Sequence, residues 1–291
     1  MSIPIPPYGP PDAYPQTPPS EPVPPQPQPR MVQIRRPAFR PTATYWILGI
    51  TIFVYILQEM TSNGIAQGPF LALGQLIFGK ADFQTLLQNG WGSDLLVLLG
   101  AKINPLIIAG QWWRLFTPAL LHASLLHIGF NMYALYAIGP SLESYYGHWR
   151  YLGLYILGAF GGNVLSFLMT SGLSVGASTA IFALIAAEGV FIYQNRAIFG
   201  PQARGMLTNV IVIVVANLVL SLSPGVDIFG HLGGLLAGLL FGWFAGPRVT
   251  VEYIYPEYQL VDQRSPAMAW LMGALVFLIF AGIALWRIRL G

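Results

Sequence analysis

The sequence predicts an all-α polytopic membrane protein, and two observations predict it. Of the 291 residues 55% are hydrophobic and only 9% are charged, against roughly 25% charged in an average soluble domain. That is too little charge to wet a globular surface. The apolar residues also gather into runs on the scale of a membrane helix, which needs about 20 residues to cross the hydrocarbon core. Together these set aside a soluble enzyme, a nucleic-acid binder and a disordered regulator, and make the lipid bilayer the first partner. The formal net charge of +3 is small. The chain has no cysteine, so disulfides, thiolate-bound metals and thiol chemistry are excluded.

Residues 1–41 read as a disordered, cytoplasmic Pro-rich tail. Residues 1–30 hold thirteen prolines, and proline removes backbone donors and favours extended polyproline II. The tail reads as a solvated tether, with a proline-binding domain as the alternative partner. The first forty residues contain no apolar core, so no cleavable signal peptide is expected and the first membrane helix is expected to direct insertion.

Seven membrane segments follow, near 44–60, 119–140, 149–170, 177–194, 206–222, 228–245 and 267–286. Between the first two lies a long connection, 61–118. Its apolar runs, Phe70–Phe78 and Leu95–Leu99, are too short to span and are broken by glycines. Trp91, Trp112 and Trp113 suit the interface between lipid and water. The organisation is therefore a six-helix core over 42–246, a cytoplasmic linker over 247–266, and a seventh helix with a short tail over 267–291.

Lys and Arg placement orients the bundle. With the N-terminus in the cytoplasm, nine basic residues fall inside: Arg30, Arg35, Arg36, Arg40, Arg150, Arg196, Arg204, Arg248 and Arg264. Five fall outside: Lys80, Lys102, Arg114, Arg287 and Arg289. The C-terminus is then outside, and a bacterial plasma membrane is the expected location.

Polar groups inside a membrane are costly and mark function by default. Segment two carries His122, Ser124, His127, Asn131 and Glu143. Segment four opens on Gly176-Ala177-Ser178-Thr179 and later holds Glu188. Segment six opens on Gly230-His231, followed by Gly234 and Gly238. Even-numbered segments run from outside to inside, so His127, Ser178 and His231 are expected at similar depth in the outer half of the membrane.

Each residue has a plain reading as well as a chemical one. Ser178 opens a helix, where unpaired N–H groups and the positive dipole end favour an oxyanion; an isolated serine in such a place is more often a capping or packing residue. His231 could act as its base, or simply as a satisfied polar contact. Gly234 and Gly238 lie three and seven residues on, a surface that lets another helix approach closely. His127 and Asn131, four apart, share one helix face and can both donate to an oxyanion, or can hold helices together. His122 lies off that face and is expected near the water access. No His-Glu-x-x-His helix offers a zinc site, no pair of intramembrane aspartates is present, and no cofactor is implied.

With these residues in order, the chain resembles a rhomboid intramembrane serine protease over about 44–246. The resemblance rests on Trp113-Arg114 in the long first loop, His122, His127 and Asn131 in segment two, Gly176-Ala177-Ser178 at segment four, and His231 with Gly234 and Gly238 at segment six. It implies a six-helix bundle plus one C-terminal transmembrane helix. It also implies cleavage of transmembrane protein substrates by a Ser178–His231 dyad, with an oxyanion site of His127, Asn131 and the Ser178 N–H. Trp113 and Arg114 are then structural, Glu143 is a buried structural glutamate, and the region 206–229 gates and caps the site. The alternative class is a non-catalytic relative that binds or chaperones membrane helices.

Two positions depart from the family pattern. Thr179 stands where a glycine usually follows the serine, and so threatens the pocket or the oxyanion approach. Phe182 stands where a tyrosine often packs on the histidine, so ring stacking is expected without the hydroxyl. Gly176 and Phe182 are additional candidate site residues.

Overall fold

The computed structural model describes residues 39–62, 68, 95–255 and 257–290. The tail up to residue 38 and most of the first loop, including Phe70–Phe78 and Trp91, lie outside the described residues. Those described form ten α-helices, two 3-10 turns and one hairpin.

Helix α1, Thr42–Ser62, is followed across the first loop by the short helices α2, Leu95–Leu99, and α3, Asn104–Ile108. Two 3-10 turns, Trp112–Leu115 and Thr117–Leu120, lead into α4, Leu125–Tyr146. Then come α5, His148–Met169, and α6, Ser178–Gln194; a short α7, Arg196–Phe199; and α8, Gln202–Leu220. Helix α9, Ile228–Ala245, precedes an antiparallel hairpin of β1, Val249–Ile254, and β2, Glu257–Asp262, and α10, Pro266–Arg289, ends the chain. Among the described residues five helices are long and apolar enough to cross a membrane: α1, α5, α8, α9 and α10. Helix α6 is apolar but shorter, and α4 is 22 residues long and carries His127, Asn131 and Glu143. The chain is a multi-pass integral membrane protein.

One expectation is corrected. The second membrane helix starts at Leu125, not near 119, because Pro118 holds a separate 3-10 turn and Ser124 caps the helix by accepting from His127 N. His122 therefore lies ahead of the helix, not on it. Between α9 and α10 the chain forms a hairpin in register from Val249–Asp262 to Ile254–Glu257. Asp262 fastens it, its carboxylate accepting from Arg150 Nη1 at 2.7 Å and from the Arg248 and Arg264 backbone N–H groups.

Small residues set the centre of the bundle. Helix α9 packs on α6 along Gly234, Gly238 and Gly242, and on α5 at Gly233. A Cβ on Gly234 would overlap the Thr179 carbonyl, and one on Gly238 would overlap that of Ala183. From α5, a Cβ on Gly161 would lie 2.8 Å from Ala237 Cβ. Without side chains at these points the backbones meet, which is how membrane helices gain dispersion energy when lipid offers no hydrophobic drive.

Polar side chains close the ends. Glu143, fully buried in α4, accepts from Ala43 N at 2.9 Å, Thr44 N at 2.8 Å and Thr44 Oγ1 at 2.6 Å, with His148 Nδ1 at 2.5 Å. It thus supplies acceptors for the otherwise unpaired first turn of α1 and ties α1 to the α4–α5 corner. Arg114, also fully buried, donates from Nη1 to the Val97 and Ala101 carbonyls and from Nε to Gln111 Oε1. Lys102 pairs its backbone with Ser174 and donates from Nζ to Thr170 O, Thr170 Oγ1 and Gly172 O. The first loop is thereby pinned to the turn that leads into Ser178.

Candidate active site

Three helix N-termini meet at one end of the bundle. Ser178 is the first residue of α6. The preceding turn is fixed by Gly176, which has φ of 132° and donates its N–H to Pro118 O at 2.8 Å. Such a φ favours glycine, and space demands it too, since a Cβ there would lie 2.8 Å from His127 Cε1 and Nε2. The His127 ring therefore lies against Gly176, next to the serine.

His231 reaches Ser178 from α9: Nε2 lies 2.7 Å from Ser178 Oγ. Its ring stacks on Phe182, one helical turn beyond Ser178, with centroids 4.5 Å apart and planes 18° apart. The glycine seam brings α9 close enough to α6 for this pairing. The hydrogen bonds of the Asp227 carboxylate go to groups other than the His231 ring. Asp227 caps α9, accepting from Gly230 N at 2.9 Å, and takes a hydrogen bond from Ser166 Oγ. The other ring nitrogen, Nδ1, lies 2.6 Å from Ser221 Oγ.

On α4, Asn131 is buried and donates one amide hydrogen to His127 O at 3.0 Å, which leaves a second hydrogen on the same nitrogen. His122 is fully buried, so it does not sit at a water access. Its ring meets His127 edge-on at 5.0 Å, and its Nε2 lies 3.4 Å from Ala177 N. It braces both His127 and the turn before Ser178.

Thr179 points away from the serine. It is buried, facing Gly162 of α5 and Gly230 of α9. Its side chain is accommodated in the helix seam between α5 and α9.

Sequence reasoning brings out Ser178, His231, His127, Asn131, Gly176, Phe182 and His122, and the structure gathers all seven at one end of α4, α6 and α9. It does not bring out Ser221. The only signal is a serine closing an apolar helical run ten residues before His231.

A membrane bundle centred on two glycine-seamed helices, with a Ser–His pair at their N-termini, defines the class: the chain belongs to the rhomboid family. Residues 109–248 match the family model described as the Rhomboid domain. RHOMBOID-like protein 5 of Arabidopsis thaliana is 32% identical over 236 residues, covering 77% of this chain and 76% of that protein. Rhomboid protease GluP of Bacillus subtilis is 34% identical over 200 residues, and Rhomboid-like protease 1 of Toxoplasma gondii 39% over 157. The matched region is 68% of this chain but 34% of GluP, and 52% of this chain and 53% of the Toxoplasma protein.

Proposed function

We propose that this chain is an intramembrane serine endopeptidase that cleaves transmembrane protein substrates through a Ser178–His231 dyad. The observation that carries the reading is the 2.7 Å approach of His231 Nε2 to Ser178 Oγ at a helix N-terminus. A serine hydroxyl is a weak nucleophile until a base lies within hydrogen-bond reach, and this base is held by stacking on Phe182.

In the first step Ser178 Oγ attacks the scissile carbonyl and His231 Nε2 takes its proton. The oxyanion is stabilised by the Ser178 N–H, the free amide hydrogen of Asn131 and the His127 ring, donors fixed before the charge develops. His231 then gives its proton to the leaving amine. Water attacks the acyl-enzyme, with His231 as base again. A helical amide is shielded, so substrate segments must unwind locally, which favours small or helix-breaking residues near the outer end of their span. The site lies on the outer side of the bilayer if the N-terminus is cytoplasmic, the orientation favoured by the distribution of Lys and Arg.

The test is labelling of detergent-purified protein with a fluorophosphonate. The wild type labels, and Ser178→Ala and His231→Ala do not. Equal labelling of Ser178→Ala, or no labelling of folded wild type, overturns the reading and turns attention to a helix-binding role.

A further inference from the structure

We propose that Ser221 is a positioning residue that holds His231 in the tautomer a base requires. The inference deepens the reading of Ser178 and His231 given above and rests on it for its consequence in catalysis.

Neutral imidazole carries one hydrogen, and which nitrogen holds it is set by the partner of the other. To accept the Ser178 proton, Nε2 must be bare and Nδ1 must carry the hydrogen. Ser221 Oγ lies 2.6 Å from His231 Nδ1 and 2.6 Å from the backbone carbonyl of Asn217. A hydroxyl has one hydrogen. The hydroxyl donates that hydrogen to Asn217 O, which leaves Ser221 Oγ with lone pairs facing Nδ1. It accepts Nδ1–H, which leaves the Nε2 lone pair turned to Ser178.

The alternative partner is occupied. The Asp227 carboxylate is engaged by Ser166 and Gly230 N, so a hydroxyl rather than a carboxylate orients this histidine. Ser221 is itself buried and fixed as the C-terminal cap of α8, its N–H donating to the same Asn217 carbonyl. The negative end of the α8 dipole thus faces the ring that gains positive charge when Ser178 is deprotonated. The arrangement also ties the base to α8, a helix that packs on α6 but has only Ala203 and Val210 buried. Movement of α8 away from α9 would release Nδ1 and let the ring take the wrong tautomer.

Two measurements test this. In full-length protein in detergent with 15N-labelled histidine, the imidazole nitrogens of His231 report the tautomer directly, whether or not the protein cleaves anything. We expect Nδ1–H in the wild type and a mixed population in Ser221→Ala. The second is the maximal rate of fluorophosphonate labelling. We expect Ser221→Ala to lower it by about ten- to a hundredfold, within what general base catalysis supplies, with less than about a threefold change in the half-saturating probe concentration. Ser221→Thr keeps the hydroxyl and is expected to label within about threefold of wild type. An Nε2–H tautomer in the wild type, or an unchanged labelling rate in Ser221→Ala, overturns the proposal. Wild-type protein that shows the Nδ1–H tautomer yet never labels would overturn the protease reading and leave the role of Ser221 in place.

Discussion

Thr179 fills the notch that Gly162 leaves open: a Cβ on Gly162 would lie 2.5 Å from Thr179 Cβ and 2.6 Å from the Gly230 carbonyl. The two residues are complementary halves of one contact between α5 and α6, with α9 closing the third side. This is why the threonine next to Ser178 is buried in the helix seam.

The first prediction follows from that contact. Gly162→Ala is expected to destabilise the bundle by about 1–3 kcal/mol, the usual cost of overpacking, and to lower Tm. Adding Thr179→Gly removes one of the two clashes, so the double variant is expected to recover part of the loss. Additive effects of the two changes in thermal unfolding would show that the residues do not share a contact.

Gly176 carries both a left-handed backbone and the closeness of the His127 ring. In Gly176→Ala, backbone strain of about 1–3 kcal/mol joins a displaced His127, so the fluorophosphonate labelling rate is expected to fall about a hundredfold. Far-ultraviolet circular dichroism should remain that of the wild type, because the turn lies between helices. Labelling at the wild-type rate would show that the turn tolerates a side chain.

Glu143 holds the start of α1 by three hydrogen bonds and faces His148. Glu143→Ala leaves the buried Thr44 N–H and hydroxyl and the half-buried Ala43 N–H without that acceptor, and a loss of about 3 kcal/mol or more is expected. Glu143→Gln keeps the shape and one acceptor, so it should lose less. The ranking wild type, Gln, Ala is read from Tm in one detergent, and equal Tm values would refute it.

Lys102 sets a pH dependence. Burial lowers its pKa from 10.5 to about 8, against a smaller opposing effect of Asp227. Between these values the unfolded chain binds more protons at this residue than the folded one, so this contribution to stability rises with pH through the window. Below pH about 8 both states are protonated and the contribution is flat. Comparing the wild type with Lys102→Met from pH 7 to 10.5, the difference in unfolding free energy should move by about 3 kcal/mol in favour of the wild type. A constant difference would mean that the lysine keeps its ordinary pKa.

The helices and the polar residues were legible because both are local signals. A run of apolar residues becomes a membrane helix wherever it packs, and a serine after Gly176, a histidine with glycines three and seven residues on, and a histidine and asparagine four apart each announce a helix face. The start of α4 was less legible. Pro118 and Ser124 compete over the stretch Ala119–Ala123, which is apolar but for His122, and only the capping bond of Ser124 decides. The hairpin after α9 gave no membrane signal and depends on Asp262 meeting Arg150 from a distant helix.

By itself, the sequence determined that this chain enters a membrane as several helices, and which side chains it carries at the mouth of the bundle. Tertiary structure alone decided what each of those side chains meets. The depth and rotation at which α9 slides along α6 is set by backbone contact at Gly234 and Gly238, and no pattern along one segment encodes it. That single packing arrangement sets Nε2 of His231 on Ser178, turns Nδ1 to Ser221 rather than to Asp227, buries Thr179 in the seam and removes His122 from water. Periodicity assigns a residue to a face; only the meeting of two helices assigns it a partner.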